Sequence, residues 1–239
     1  GLRTIVKSFN DPKVGCVSSV DKFLDEEGNI SGEGAYVKYE MFLRQLETRV
    51  NTLVGLSGSF FAARRAVCRY WATDLQSDFN TPLNTVKMGL RGVADPQSIG
   101  YYANILNETE EFDRKVRTVL RGITVLMRNV AILNPLRYGL FSWQVFSHKL
   151  CRWLVPFWVI LTFLTNLLLM SKSMLYFGLF IAQVCFYGLA LLHVYWDSFS
   201  MSRLGRIAGF FLMTNASIFR AWLNYMTGER MVKWNPSKR

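Results

Sequence analysis

The stretch "EFDRKVRTVLRG", residues 111–122, decides how this chain is read. It carries four basic side chains: Arg114, Lys115, Arg117 and Arg121. On an α-helix, the spacing of Arg114, Arg117 and Arg121 puts all three guanidinium groups on one face. From Trp153 onward the chain turns into long apolar runs. Three readings of the cluster follow: a solvated helix face, a lipid anchor, or a clamp for a phosphorylated ligand, whose oxygens suit the guanidinium fork.

The chain has 239 residues, 51% hydrophobic and 15% aromatic, with a net charge of +11. Residues 151–239 hold nine Lys/Arg against two acids, a balance of +7, and residues 1–150 hold nineteen against fifteen, a balance of +4. The positive excess follows the apolar half, which favours a cytoplasmic membrane face with lipid partners. No zinc-type or RNA-binding motif accompanies it, so no nucleic-acid partner is expected. Cys16, Cys68, Cys151 and Cys185 lack metal-like spacing and read as reduced structural thiols. The opening segment is polar and amphipathic, not a signal peptide, and with Gly1 as first residue the chain reads as starting inside a domain.

Outward from the basic stretch, period and punctuation predict alternating elements. Apolar positions 2, 5, 6 and 9 predict a helix stopped at Asn10-Asp11-Pro12. "VGCVSSV" (14–20) predicts a buried strand and "DEEGNISGEG" (25–34) an acidic loop. Residues 36–53 predict an amphipathic helix, 54–63 a strand and turn, 82–89 a short helix, "RGVADPQSIGY" a strand with a Pro turn, and 108–130 a long helix. Strands alternating with helices indicate an α/β domain, with too few strands for a complete one. Residues 142–154 then predict a helix for the membrane interface, with Trp143, Phe146, Leu150 and Trp153 on one side and Gln144, His148, Lys149 and Arg152 on the others. Residues 153–170 and 174–196 are long and apolar enough to span, joined by a turn at 171–173. Residues 207–226 form a weaker third candidate, interrupted by Asn215 and Arg220, and residues 228–239 a basic tail.

Three motifs carry chemistry. In "SDFNTPLNTVKMGLRG" (77–92), Asp78 reads equally as a helix N-cap before Pro82 or as a general base. "GLSGSFFAARR" (55–65) is either a buried strand ending at a solvated arginine pair or a small-residue strand that a ligand approaches closely. The arginines of 111–122, taken alone, read first as an ordinary basic face.

In order and spacing, these motifs resemble the membrane-integrated family 2 glycosyltransferases, the group that includes synthases of cellulose, hyaluronan, chitin and poly-N-acetylglucosamine. The resemblance covers nearly the whole chain. It implies an α/β fold plus membrane helices: the C-terminal part of a Rossmann-like GT-A domain, then amphipathic interface helices and two to three transmembrane helices. It divides the chain into a partial catalytic domain (1–105), interfacial helices (106–152), a transmembrane region (153–227) and the tail (228–239). Asp78 matches the Asp of the family's Thr-Glu-Asp, the general base on the acceptor hydroxyl. Gly55, Gly58, Ser59, Phe60 and Phe61 match the strand lining the acceptor site. Arg114 and Arg117 take the first and last polar positions of Gln-x-x-Arg, and Arg121 with Gly122 matches the Arg-Gly after it, implying diphosphate binding. Thr118 stands where the family's Trp stacks under the acceptor sugar, and Gln76-Ser77 replace Thr-Glu.

The implied function is inverting transfer from a nucleotide sugar, UDP-linked by analogy, to a polysaccharide or lipid-linked acceptor in exopolysaccharide or glycolipid synthesis. The catalytic part would face the cytoplasm from a bacterial inner membrane. The divalent cation, Mg2+ or Mn2+, and its Asp-x-Asp ligands belong to an N-terminal half expected outside this chain, in cis or as a separate partner. Without that half the chain is expected to be inactive. Three spans make a thin wall for a polymer channel, which favours short products, a further span or an oligomer. The rivals are a non-catalytic membrane-anchored subunit that keeps the fold, and a lipid-binding protein whose arginines face head groups.

Overall fold

The computed structural model describes residues 1–24, 35–69, 71–103, 108–195 and 203–231. They divide into two units. The first takes the described residues of 1–108 and 121–149 with 230–231, and the second takes those of 109–120 and 150–229. The acidic loop predicted at 25–34 and most of the basic tail lie outside the described residues.

In the first unit, the apolar, β-branched run expected to be a strand is β1 (Val14–Leu24). It pairs antiparallel with β2 (Phe61–Ala63) and parallel with β3 (Arg91–Ala103), giving the order β2-β1-β3. Val14, Cys16, Val17, Ser18 and Ser19 are all buried, as a central strand covered on both faces requires. The register shifts at Gly15, and such a bulge resets the alternation of sides. Val14 and Val17 therefore share one cluster with Ile5, while Cys16 joins another with Leu53 and Leu56. At Gly15 a Cβ would meet Thr85 Cγ2 at 2.6 Å and Leu90 Cβ at 2.9 Å, so only glycine fits the bulge. A second shift falls in β3, where residues 95–98 lie between the Ser18–Ala94 and Val20–Ile99 pairs. Pro96, which has no ladder donor, sits in this kink, and Asp95 Oδ1 accepts the Gln97 amide at 3.0 Å. The predicted Pro turn is thus an irregularity inside one long strand.

The helices depart from expectation chiefly at their ends. α1 (Leu2–Lys7) is shorter than the predicted helix, its last turn tightening into a 3-10 turn (Ser8–Asn10) before the predicted stop. α2 (Ala35–Val50) stops short of Leu53, because residues 52–53 leave to bond β3: Leu53 N–H donates to Gly92 O at 3.0 Å and Gly92 N–H to Thr52 Oγ1 at 2.7 Å. The strand predicted at 54–63 contracts to β2, and the residues before it form an irregular loop. α3 (Ser77–Lys87) begins five residues before the predicted start and takes Pro82 into its interior. α4 (Glu108–Arg128) matches the predicted long helix, with 109–120 in the second unit and 121–128 in the first.

Beyond a 3-10 turn (Val130–Leu133) come α5 (Pro135–Tyr138), α6 (Leu140–Val145) and a π-helical turn (Phe146–Cys151). Trp143 and Phe146 are exposed and stacked at 5.8 Å, in keeping with an interface helix. Gln144, read as part of a polar side, is instead buried and accepts from Asn51 Nδ2 at 2.9 Å. The inward stripe of α6 is Phe141, Gln144 and Val145, the i, i+3, i+4 set, which leaves Trp143 on the outer face.

The second unit holds α7 (Arg152–Leu169), α8 (Met174–Tyr195) and α9 (Arg203–Met226). Among the described residues two helices are long and apolar enough to cross a membrane: the continuous helix Leu140–Leu169, whose most apolar 18 residues have a mean hydropathy of 1.6, and α8, whose most apolar 18 have 2.0. α9, the third expected span, does not reach that apolarity; Arg206, Asn215 and Arg220 interrupt it. Aromatic rings dominate the packing, with Phe157 5.7 Å from Phe219 and Phe186 5.5 Å from Phe211, centroid to centroid. Trp222 Nε1 donates to Trp153 O at 2.9 Å, and Asn166 Nδ2 donates to Gln183 Oε1 at 2.9 Å, a polar rung between α7 and α8.

Candidate active site

Pro82 explains how the loop before β2 is fastened to α3. It has no amide hydrogen, so the helical bond to the carbonyl four residues back, at Asp78, is missing. The Leu56 amide fills that vacancy, donating to Asp78 O at 2.9 Å. Two residues on, Gly58 lies so close that a Cβ would stand 3.1 Å from Asp78 Oδ2. The missing side chain is what lets the loop rest on the carboxylate.

Asp78 is the second residue of α3, and Gln76 holds the N-cap position. This corrects the N-cap reading: the helix starts at Ser77, so the Asp78 side chain lies inside the first turn, where the helix dipole favours a negative charge. Gln76 Nε2 donates to Asp78 Oδ2 at 3.1 Å, and Asp78 Oδ1 is buried without a hydrogen-bond partner among the described residues. Burial pushes the Asp78 carboxyl above its usual range, more than Lys149, Gln76, Arg121 and the Phe79 amide pull it down. A half-buried carboxylate with one oxygen unsatisfied and a raised pKa is suited to accept a proton.

Side chains build the rest of the loop. The Ser57 amide donates to Ser18 Oγ at 2.7 Å, and Ser57 Oγ donates to Asp21 Oδ1 at 2.6 Å while accepting the Phe60 amide at 3.3 Å. Gly58 and Ser59 are exposed beyond this knot. Phe60 packs on the Ile5–Val14–Val17 cluster and Phe61 on the Cys16–Leu53–Leu56 cluster, so strand alternation turns the two rings to different clusters. Arg64, read from sequence as half of a solvated pair, instead donates from Nε to Val14 O at 2.6 Å and from Nη2 to Phe9 O at 2.7 Å. It staples β2 to the start of the chain.

The π-helical turn adds residues that the sequence reading had left on a polar face. His148 Nδ1 lies 2.6 Å from Glu47 Oε1, and the same buried carboxylate accepts the Val54 amide at 3.0 Å through Oε2. Lys149 Nζ stands 3.3 Å from where a Gly55 Cβ would be and 5.4 Å from the centre of the Phe79 ring. Gln76, Glu47, Gly55 and Lys149 are thus grouped with Asp78, Gly58 and Arg121 in the first unit. Only the small-residue pair Gly55/Gly58 gave any sign of this in the sequence.

The remaining members of the basic stretch belong to the second unit. Arg114 Nε and Arg117 Nε are buried without a hydrogen-bond partner among the described residues. Lys115 is paired with Glu111 at 2.9 Å and stands 4.5 Å over the Phe210 ring. Thr118 is exposed. Among the described residues no group of three or more His, Cys, Asp or Glu side chains fits a metal ion.

No protein-family model and no curated protein matches this chain. Among solved structures it is similar to the mannosyltransferase PcManGT from Pyrobaculum calidifontis in complex with GDP-Man and Mn2+. The TM-score is 0.62 at 16% identity, covering 95% of this chain and 58% of that one. The chain therefore has a glycosyltransferase fold and spans 58% of that neighbour's length.

Proposed function

We propose that this chain is the acceptor-side part of a membrane-bound, inverting family 2 glycosyltransferase that uses a nucleotide sugar. Asp78 is its general base. The observation that carries this reading is the half-buried Asp78, whose Oδ1 is buried without a partner among the described residues and whose pKa is raised, on a glycosyltransferase fold. Asp78 takes the proton of an acceptor hydroxyl as the hydroxyl oxygen attacks the anomeric carbon. The bond to the diphosphate breaks with its electron pair, and the anomeric configuration inverts. Arg114 and Arg117, each with a buried Nε that has no partner among the described residues, are assigned to diphosphate oxygens, and Arg121 to the electrostatic field on Asp78. Gly58, Ser59, Phe60 and Phe61, all of the first unit, are assigned to the acceptor. The neighbour's complex holds GDP-Man and Mn2+, which supports a nucleotide sugar and a divalent cation here too. The residues described do not fit that cation, so no step is assigned to it. The two long apolar helices support membrane association, with a polysaccharide or lipid-linked acceptor.

The test is nucleoside diphosphate release by the membrane-reconstituted full-length protein, offered both UDP- and GDP-sugars with Mn2+. Asp78→Asn is expected to lower turnover by roughly 10²–10⁴-fold, the contribution of general base catalysis. Full turnover in Asp78→Asn removes the base assignment. Absence of release from the wild type with every donor favours a non-catalytic membrane-anchored subunit.

A further inference from the structure

The π-helical turn sets two consecutive side chains to work on one loop. His148 reaches Glu47, which holds the Val54 amide, and Lys149 reaches the next residue, Gly55. A π-helical turn is wider than an α-helical one and is frequent at functional sites. His148 and Lys149 are consecutive in the turn, so the His148–Glu47 contact and the ammonium share one short segment.

We propose that Lys149 is a positioning residue of this site, its ammonium lodged against Gly55 and over Phe79 to keep Asp78 ionised and oriented for proton transfer. The inference rests on reading Asp78 as the base. Gly55 supplies the room, since its absent Cβ would lie 3.3 Å from Nζ and 3.7 Å from Cε. The Phe79 ring supplies a face 5.4 Å away at its centre, a cation–π distance. Gly58, three residues after Gly55 on the same loop, lies against the Asp78 carboxylate, so an ammonium seated at Gly55 acts on that carboxylate from across one short loop. The charged groups bearing on Asp78 are Lys149 from the π-helical turn and Arg121 from α4, with the neutral Gln76 amide on its own segment. Glu47 and His148 flank Lys149 and are engaged with each other.

Lys149 and Arg121 both act on Asp78, so removing one cation weakens the positive field without abolishing it. Lys149→Met is expected to shift Asp78 titration to higher pH, because a carboxylate that loses a nearby positive charge holds its proton more tightly. Lys149→Arg keeps the charge and is expected to restore the wild-type midpoint.

The measurement is an infrared pH titration of the full chain in lipid, with the Asp78 carboxyl band identified by difference against Asp78→Asn. Acidic-limb activity is expected to follow the same order, moving to higher pH in Lys149→Met alone. An unmoved Asp78 midpoint in Lys149→Met overturns the proposal, and so does a midpoint in Lys149→Arg that matches Lys149→Met. If Lys149→Met loses its circular dichroism signal, Gly55→Val carries the test, displacing the ammonium with its charge intact. An upward shift there supports the role, and no shift overturns it. Full turnover by Asp78→Asn defeats the base reading instead, and leaves the titration result standing by itself.

Discussion

The two units solve the same problem, satisfying buried backbone, in opposite ways. In the helical unit each long helix satisfies its own amides and carbonyls, so side chains are free to be apolar. Aromatic rings fill α7, α8 and α9, and the Asn166–Gln183 bond is a local polar rung. In the sheet unit the loop of residues 52–60 has no continuous ladder, and side chains share that work with isolated backbone bonds. Thr52 bonds Gly92, Glu47 bonds Val54, Ser18 bonds Ser57, and the Asp78 carbonyl bonds Leu56. A region that regular structure satisfies tolerates change, whereas one that particular side chains satisfy concentrates both fragility and chemistry.

The largest effect should follow Glu47→Ala. It strips the Val54 amide of its buried acceptor and removes the partner of His148, for a loss of about 2 kcal/mol, the scale of leaving a buried polar group unsatisfied. Thermal unfolding in detergent measures it; a loss under about 1 kcal/mol would mean the loop holds itself without side-chain acceptors.

Next comes a gain in stability from Asp78→Asn. The folded pKa of Asp78 is raised, so the folded state binds its proton more tightly than the unfolded chain does. The stability contributed by the protonated form is complete below the ordinary carboxyl range and is lost as pH rises through the folded value. Above that value the wild type holds a charge that burial opposes, and asparagine does not. Asp78→Asn should melt a few degrees above the wild type at about pH 8, with the gap narrowing towards about pH 4. A melting point unchanged at both ends would show that Lys149 and Arg121 fully offset the burial of Asp78.

The smallest effect belongs to the helical unit. Asn166→Leu should cost about 0.6 kcal/mol, the average for a polar contact between membrane helices. A loss as large as that for Glu47→Ala, measured in the same melts, would erase the contrast between the units.

The helical unit was also the easier to read. An apolar run long enough to span is a property of composition, and 153–170 and 174–196 were legible as α7 and α8 to within a few residues. β1, β3 and α4 were legible for a similar reason: each is a long element with one strong pattern. The loop of residues 52–60 was not. Its small apolar residues have the composition of a strand, and only the absence of a partner strand shows why they are not one.

The site divides along the same line. Asp78, Gly58 and the arginines stood out because their type and spacing matched a pattern. Glu47 and Lys149 did not, because nothing local marks them, and Gln76 stood out only as a departure from Thr-Glu. Lys149 reads as the polar face of an interface helix until the π-helical turn brings it to Gly55 and Phe79. Arg64 reads as solvated until three carbonyls, those of Phe9, Asp11 and Val14, converge on it.

The sequence by itself determined the apolar spans, the basic helix face, the long strands and Asp78 as the carboxylate to watch, since periodicity, length and charge are local. The tertiary structure alone decided that Pro82 frees a carbonyl for the loop, that Gly58 and Gly55 leave room for Asp78 and Lys149, and that Gln144 turns inward. Each of these depends on which distant backbone lies within about 3 Å, the range over which a hydrogen bond forms or fails.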